Sequence, residues 1–243
     1  MRDNFGVKDV MDVEFIALTG EKAGRPVLRL DMCTLTQLDT TAEVSEARGG
    51  RGNAIAVSWN YNREVTFNIT NALISDDMLE VILGQAKVEG GRFDSYAAIE
   101  TSESSTELPL RIKPINASEV KIYAFDGTLV GNGSSYDEQK QVLITSGLEA
   151  NRPYVAVYPI EVEKTFTLSA DKFPGTYEIV GVSIVRGDDD EDYEMVMHIP
   201  RAKIQTGFTL SLDAEGDPST FDMAIQVQKP ASGDMVYLAM MDD

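Results

Sequence analysis

The residue types that most often carry chemistry in proteins, histidine and cysteine, occur once each, as His198 and Cys33. A histidine-dependent catalytic triad would have to be built on His198. That residue lies in the strand-like run 195–200, where a structural role is the simpler interpretation. A single cysteine excludes an intrachain disulfide and a cysteine-based metal site. We therefore expect no catalytic residues, no metal and no cofactor.

Two loops have compositions that could bind an ion. The glycine-rich segment 49–53 lacks the Lys-Ser/Thr pair of a phosphate-binding P-loop, so we interpret it as a flexible loop or a subunit contact. The segment 187–192 carries five carboxylates but lacks the glycine and distal glutamate spacing of an EF-hand. A solvated hairpin tip is the favoured interpretation, and the sequence leaves open whether residues 188–192 bind a cation.

The charge balance is strongly acidic. Lys and Arg total 21 against 40 Asp and Glu, giving a formal net charge of −19. Such a chain repels phosphate, which disfavours tight binding to nucleic acid but suits a surface past which DNA moves; acidity that only confers solubility is equally consistent. With so many carboxylates, a glycosidase-like pair could always be proposed, so that proposal carries no information. We expect no enzyme.

The sequence also bears on location. The first residues lack the apolar core of a signal peptide, and no apolar run approaches the ~18 residues of a membrane span. We expect synthesis in a reducing cytoplasm and no membrane partner.

One helix is predicted, over 75–84. Ser75 is a favourable N-cap, Asp76 and Asp77 suit the first turn, and Gly84 can end the helix in a left-handed conformation. So short a helix is marginal in water and must pack on a sheet.

Nearly all other periodicity is that of β-strands, so the predicted fold class is all-β: a sandwich or barrel with one short helix. Residues 33–44 alternate clearly, with Gln37, Asp39 and Glu43 on one side. Two short strands, 54–59 and 64–70, are predicted on either side of a turn at 60–62. A closing hairpin is predicted from 207–212 and 221–228.

The polar segment 99–107 is typical of a linker, and new strands follow it. We predict a discontinuous main domain, 1–103 and 164–243, interrupted by a small β insertion at 104–163. Residues 166–170 are predicted to resume the main domain as a strand.

In this order, the pieces resemble the tail tube proteins of long-tailed bacteriophages. The resemblance rests on 49–53 leading into 54–60, then 64–70, the helix from Ser75, and the late hairpin 207–228. It covers roughly residues 7–98 and 164–240.

The resemblance implies a structural virion protein, made in the host cytoplasm and located in the tail. It implies hexameric rings that stack into a tube, with strands of neighbouring subunits forming an inner barrel around a usually acidic lumen. The implied partners are further copies, other tail proteins such as tape measure, terminator, baseplate or sheath, and genomic DNA as passing cargo.

Within that expectation, we assign residues to two surfaces. By alternation, we expect the lumen to be lined by Gln37, Asp39, Glu43, Asp222 and Gln226. Inter-ring or inter-subunit contacts are expected at basic residues in the loops: Lys22, Arg25, Arg48 and Arg51. The insertion would decorate the outside of the tube.

Two alternatives stay open at this point. The chain could be another virion component, such as a tail terminator or a capsid decoration protein. It could also be a carbohydrate-binding or adhesive module, although that function favours clustered aromatic residues, and Trp59 is the only tryptophan.

Overall fold

The computed structural model describes residues 5–102, 104–205 and 220–241. In chain order its elements are β1 (Phe5–Val7), β2 (Asp12–Ala17), β3 (Pro26–Leu30), β4 (Cys33–Gly49), β5 (Ala54–Asn71), α1 (Asp76–Leu83), β6 (Val88–Glu89), β7 (Arg92–Thr101), β8 (Glu107–Pro109), a 3-10 turn (Ala117–Glu119), β9 (Lys121–Tyr123), β10 (Leu129–Asn132), β11 (Ser135–Asp137), β12 (Val142–Ile144), β13 (Pro153–Glu161), β14 (Lys164–Thr165), β15 (Thr176–Gly187), β16 (Asp192–Ile204), β17 (Phe221–Val227) and β18 (Tyr237–Met241). The all-β prediction is confirmed.

The chain divides into two compact units, one formed by 1–86 with 167–243 and the other by 87–166. The first unit is a large antiparallel sheet with strand order β3-β2-β15-β16-β17-β5-β4. Two short strands join it at one end, because β1 also pairs with β15 and β18 also pairs with β16. The sheet curls over its core: the backbone N–H of Met11, next to β2, donates to Thr36 Oγ1 in β4, at the far end of the strand order (3.2 Å).

The helix forms as predicted. Ser75 accepts a hydrogen bond from the Met78 N–H, and Gly84 ends the helix with φ 69°. Met78, Val81 and Ile82 are buried in the core of the first unit. In the described residues, no helix has the length and apolar character needed to span a membrane.

The second unit is a small sandwich of two sheets, β10-β9-β13-β7 and β11-β12-β8, around its own core. The Tyr154 hydroxyl accepts a hydrogen bond from the Glu149 N–H (2.7 Å), the arrangement of a tyrosine corner. The predicted insertion, 104–163, lies within this unit.

Several predicted elements are wrong in detail. Residues 99–107 are not a continuous linker, because β7 extends to Thr101 and β8 begins at Glu107. Residues 166–170 form no strand, and the paired residues are instead those of β14. The predicted strand 207–212 lies outside the described residues.

Candidate assembly surface

The exposed face of the large sheet is polar where β4, β5 and β17 run side by side. Asp39 is its centre: its carboxylate accepts hydrogen bonds from the side-chain amides of Gln37 (2.8 Å) and Asn68 (2.9 Å). On the neighbouring strand, Thr70 Oγ1 donates to the Asp222 carboxylate (2.6 Å). Carboxylates and amides are thereby held in place on a face whose opposite side is the core.

Strand pairing shows which predicted lumen residues share this face. Thr66 lies between Asp39 and Gln226, opposite both. Residues directly opposite one another in a sheet point to the same side. Four of the five predicted residues therefore lie together on one exposed face: Gln37, Asp39, Asp222 and Gln226. Glu43 lies beyond it, opposite Tyr61.

The chemistry of this face is that of hydrogen bonding and negative charge. Its polar side chains are carboxylates, amides and threonine hydroxyls, and the pairing with β16 adds Lys203 opposite Gln226. Two apolar residues share the face, Leu35 opposite Thr70 and Ala224 opposite Asn68. In the part of the chain that the structure describes, no group of three or more His, Cys, Asp or Glu is placed to hold a metal ion. Such a face can repel a polyanion and let it move past without binding it.

Beyond this face, β4 and β5 continue as a two-stranded ribbon, which we call the arm (residues 40–63). The prediction of two strands with a turn at 60–62 is wrong: β5 is continuous from Ala54 to Asn71. Asn62, with φ 49°, sits at a bulge where the register shifts between Thr41 and Glu43. Asparagine tolerates this left-handed conformation, so a residue typical of turns here bends a strand without ending it.

One face of the arm is apolar although it is exposed. Val57, Trp59 and Tyr61 are 50, 54 and 47% exposed, and they alternate along β5. On β4, Ala47 lies opposite Val57, whereas Ser45 and Glu43 lie opposite Trp59 and Tyr61, so the apolar residues of this face belong mainly to β5. An isolated two-stranded ribbon is at best marginally stable in water, and it needs something to cover such a face. The alternation of 55–61 was visible in the sequence, but the expected turn at 60–62 hid its extent.

The predicted contact residues occupy two turns. Lys22 and Arg25 lie at the turn between β2 and β3, where Lys22 approaches Glu80 of the helix (3.4 Å). Arg48 and Arg51 lie at the tip of the arm, where Arg48 pairs with Glu46 (2.6 Å). All four side chains belong to exposed residues.

His198 and Cys33 have structural partners. His198 Nε2 lies 2.8 Å from a Glu178 carboxylate oxygen, and its ring stacks on Tyr237 of β18. Cys33 is buried, its thiol approaches the Leu30 carbonyl (3.8 Å), and burial raises the pKa of the thiol to about 11. A thiol with that pKa is a poor nucleophile at neutral pH.

At the acidic loop, the carboxylates are held by side chains of the same hairpin. Tyr193 donates toward Asp189 and Glu191 (3.0 Å each). Arg186 pairs with Asp192 across the strands that the loop connects. These contacts brace the tip of a hairpin.

The model of the YomU/Tube protein family matches residues 5–238, nearly the whole chain. The chain belongs to the YomU/Tube protein family. This membership indicates a phage tube-like structural protein, which is the coarser part of the resemblance seen in the sequence, and a non-enzymatic role. None of the curated proteins compared with the chain matches it.

Proposed function

We propose that this YomU/Tube protein is the tail tube subunit of a long-tailed phage. Six copies form a ring, and rings stack into a tube through which DNA leaves the virion. The subunit is made in the host cytoplasm, and its other partners are tail components such as the tape measure, the terminator, the baseplate and a sheath where one exists.

The arm is the observation that carries this proposal. Its apolar face is half-exposed at Val57, Trp59 and Tyr61, and none of the three belongs to a core formed by the described residues. Aromatic residues of this kind are the usual anchors of protein interfaces. In a tube protein, the natural cover is a neighbouring copy, so the arm acts as the element that joins subunits.

The polar sheet face supports the conduit. Asp39 and Asp222 are fixed there by hydrogen bonds from amide and hydroxyl groups. Six chains of −19 give 6 × −19 = −114 per ring. A lumen lined by this face repels the phosphates of DNA and does not retain the duplex in transit. Gln37 and Gln226 line it as well, whereas Glu43 belongs to the arm.

The remaining surfaces have secondary roles in this proposal. The turn that carries Lys22 and Arg25 and the arm tip that carries Arg48 and Arg51 contact neighbouring copies, where basic groups meet an acidic chain. The unit that contains the insertion 104–163 lies on the outside of the tube.

Negative-stain electron microscopy of the purified, concentrated chain at two salt concentrations tests the proposal. Hollow tubes or stacked six-fold rings are the expected result. A particle that stays monomeric at every concentration, with and without other tail proteins, contradicts it and favours a carbohydrate-binding module.

A further inference from the structure

We propose that Trp59 on the arm of one copy inserts into an apolar pocket at the open end of the core in the first unit of a second copy. This inference rests on the proposed function, because it names the contact through which copies join.

The pocket has the size of an aromatic ring system. Its volume is about 180 Å³, and its floor is formed by Phe67, Met195 and Met197. An apolar cavity of roughly 150 Å³ is enough to hold a benzene molecule. Methionine walls adapt to the shape of a guest and make favourable sulfur–aromatic contacts. The pocket therefore suits a large aromatic side chain.

The polar atoms in the pocket suit an indole. Asp9, Thr36 and Ser183, whose side chains carry oxygen atoms, are among the residues that line it. The Asp9 carboxylate accepts a hydrogen bond from the Val10 N–H (2.8 Å), and the Ser183 hydroxyl donates to the Asp9 carbonyl (2.7 Å). Each carboxylate or hydroxyl oxygen retains lone pairs that can accept a further hydrogen bond. The indole N–H is a donor only, and a buried tryptophan usually finds such an acceptor.

The mouth of the pocket is apolar, and its residues are exposed. Val7 and Leu238, from the short strands at the end of the sheet, are 67 and 59% exposed there, and Leu38 of β4 lies beside them. These side chains surround an opening into the core of the first unit. An inserted side chain would cover all three.

The chain cannot fill its own pocket with Trp59. Trp59 pairs with Ser45, seven positions along β4 from Leu38 at the mouth. Seven strand residues span about 24 Å, and the ribbon between them is continuous. The guest must therefore come from a second copy.

This arrangement makes the contact head-to-tail. The arm of one copy would dock at the base of the arm of the next, where β4 supplies Leu38 and Thr36. Two different surfaces of the same chain then meet, so the contact is heterologous and generates closed rings or open filaments. That is the geometry that a tube of identical subunits requires.

The intrinsic fluorescence of the full chain tests the contact directly, because Trp59 is the only tryptophan. On assembly, its emission is expected to move to shorter wavelength and its quenching by acrylamide to fall. Trp59→Ala is expected to raise the concentration threshold for assembly about thirtyfold or more, the loss typical of an interface anchor. For Trp59→Phe, which keeps a ring but has no N–H donor, the threshold is expected to lie between those of the wild type and Trp59→Ala.

Leu238→Asp places a carboxylate at the mouth and is expected to block assembly while the monomer stays folded. Leu73→Asp is the matched control, since Leu73 is also 59% exposed and does not line the pocket. Tubes in which Trp59 remains open to acrylamide would overturn the inference and leave the proposed function standing. Equal effects of the two aspartate variants would overturn it as well.

Cross-linking tests the contact between the arm and the pocket even where no tubes form. A tagged Ser45→Cys chain keeps Trp59 and carries its cysteine directly opposite it. Mixed with an untagged Leu238→Cys chain, it is expected to give a mixed dimer with a short bismaleimide, whereas Ser45→Cys mixed with Leu73→Cys is not. The native Cys33 is buried and its pKa is about 11, so it does not compete. Absence of the mixed dimer contradicts the inference; absence of any ring or tube by microscopy contradicts the proposed function instead.

Discussion

Thr70 and Asp222 are joined across β5 and β17 by a 2.6 Å hydrogen bond from the threonine hydroxyl to the carboxylate. The two residues lie 152 positions apart in the chain and directly opposite each other in the sheet. The bond fixes a negative charge on the exposed face, and β5 lies between this charge on β17 and Asp39 on β4. The face therefore presents ordered carboxylates in place of freely rotating ones.

Reversing these charges should convert a passive lumen into one that retains DNA. Asp39→Lys with Asp222→Lys changes the formal charge by +4, from −19 to −15 per chain. Tubes of this variant are expected to sediment with a short fluorescent DNA duplex at low salt and to release it at high salt, because phosphate contacts are salt-dependent. Wild-type tubes are expected to bind none.

The matched control for this experiment is Asp171→Lys with Asp188→Lys, which changes the charge by the same amount at exposed positions outside that face. It is expected to leave duplex binding at the wild-type level. Equal retention by both variants would show that net charge, and not the sheet face, governs binding.

A second prediction concerns the end of the helix. Gly84 has φ 69°, and a Cβ at this position would collide with the backbone carbonyl of Phe173. Gly84→Ala is expected to lower the free energy of unfolding by about 2–4 kcal/mol, from left-handed strain and overpacking together. Urea unfolding of the monomer measures this.

Gly20→Ala separates the two causes. Gly20 also has a left-handed conformation (φ 84°), but nothing lies within 4 Å of a Cβ built there. Only the conformational strain remains, so a loss of roughly 1 kcal/mol is expected. If both variants lose the same free energy of unfolding, the close approach of Phe173 contributes nothing to the loss.

Local signals account for what the sequence could predict. The helix is specified within ten residues by Ser75, the acidic first turn and Gly84, so its position was readable. The face of Asp39 was readable too, because alternation has a period of two and depends on no distant residue. Which strands lie beside it was not, since the pairing of Asp222 with Thr70 joins segments far apart in sequence.

The arm shows why the rest was hidden. Asparagine and its neighbours at 60–62 have turn propensity, and the sequence pattern alone does not tell a turn from a bulge in a long ribbon. The open pocket escaped prediction for another reason. It depends on where two short strands, β1 and β18, attach to β15 and β16, and tertiary pairing decides that.

A third prediction concerns acid stability at the β15–β16 hairpin. Arg186 donates to both oxygens of Asp192 (2.8 and 3.1 Å), and Lys8 binds the same carboxylate. These partners hold the pKa of Asp192 well below its usual range. A depressed folded-state pKa means that the pair stabilises the protein above the unfolded pKa of about 3.9, and that this contribution is lost as pH falls through the folded value.

Asp192→Asn should therefore lower the urea midpoint slightly at pH 7, and the difference from wild type should shrink as the pH falls below about 4. The effect is small because the group is exposed, and added salt should reduce it further. Asp188→Asn, at the same hairpin, provides the baseline. If the difference in urea midpoint between wild type and Asp192→Asn is unchanged at low pH, loss of the ion pair is not what destabilises the variant.

The last prediction concerns the bulge that sets the course of the arm. Asn62 holds φ 49°, a conformation that asparagine and glycine adopt readily and a β-branched residue resists by about 1–2 kcal/mol. Asn62→Gly should assemble at the wild-type threshold concentration, whereas Asn62→Val should raise that threshold. The monomer should unfold normally in both, because the arm contributes little to the core.

Asn60→Val, two residues away in ordinary strand conformation, isolates the effect of the backbone. Sedimentation velocity over a concentration series gives the three thresholds, and a rise for Asn60→Val as large as that for Asn62→Val would mean that lost polarity, not the bulge, weakens assembly.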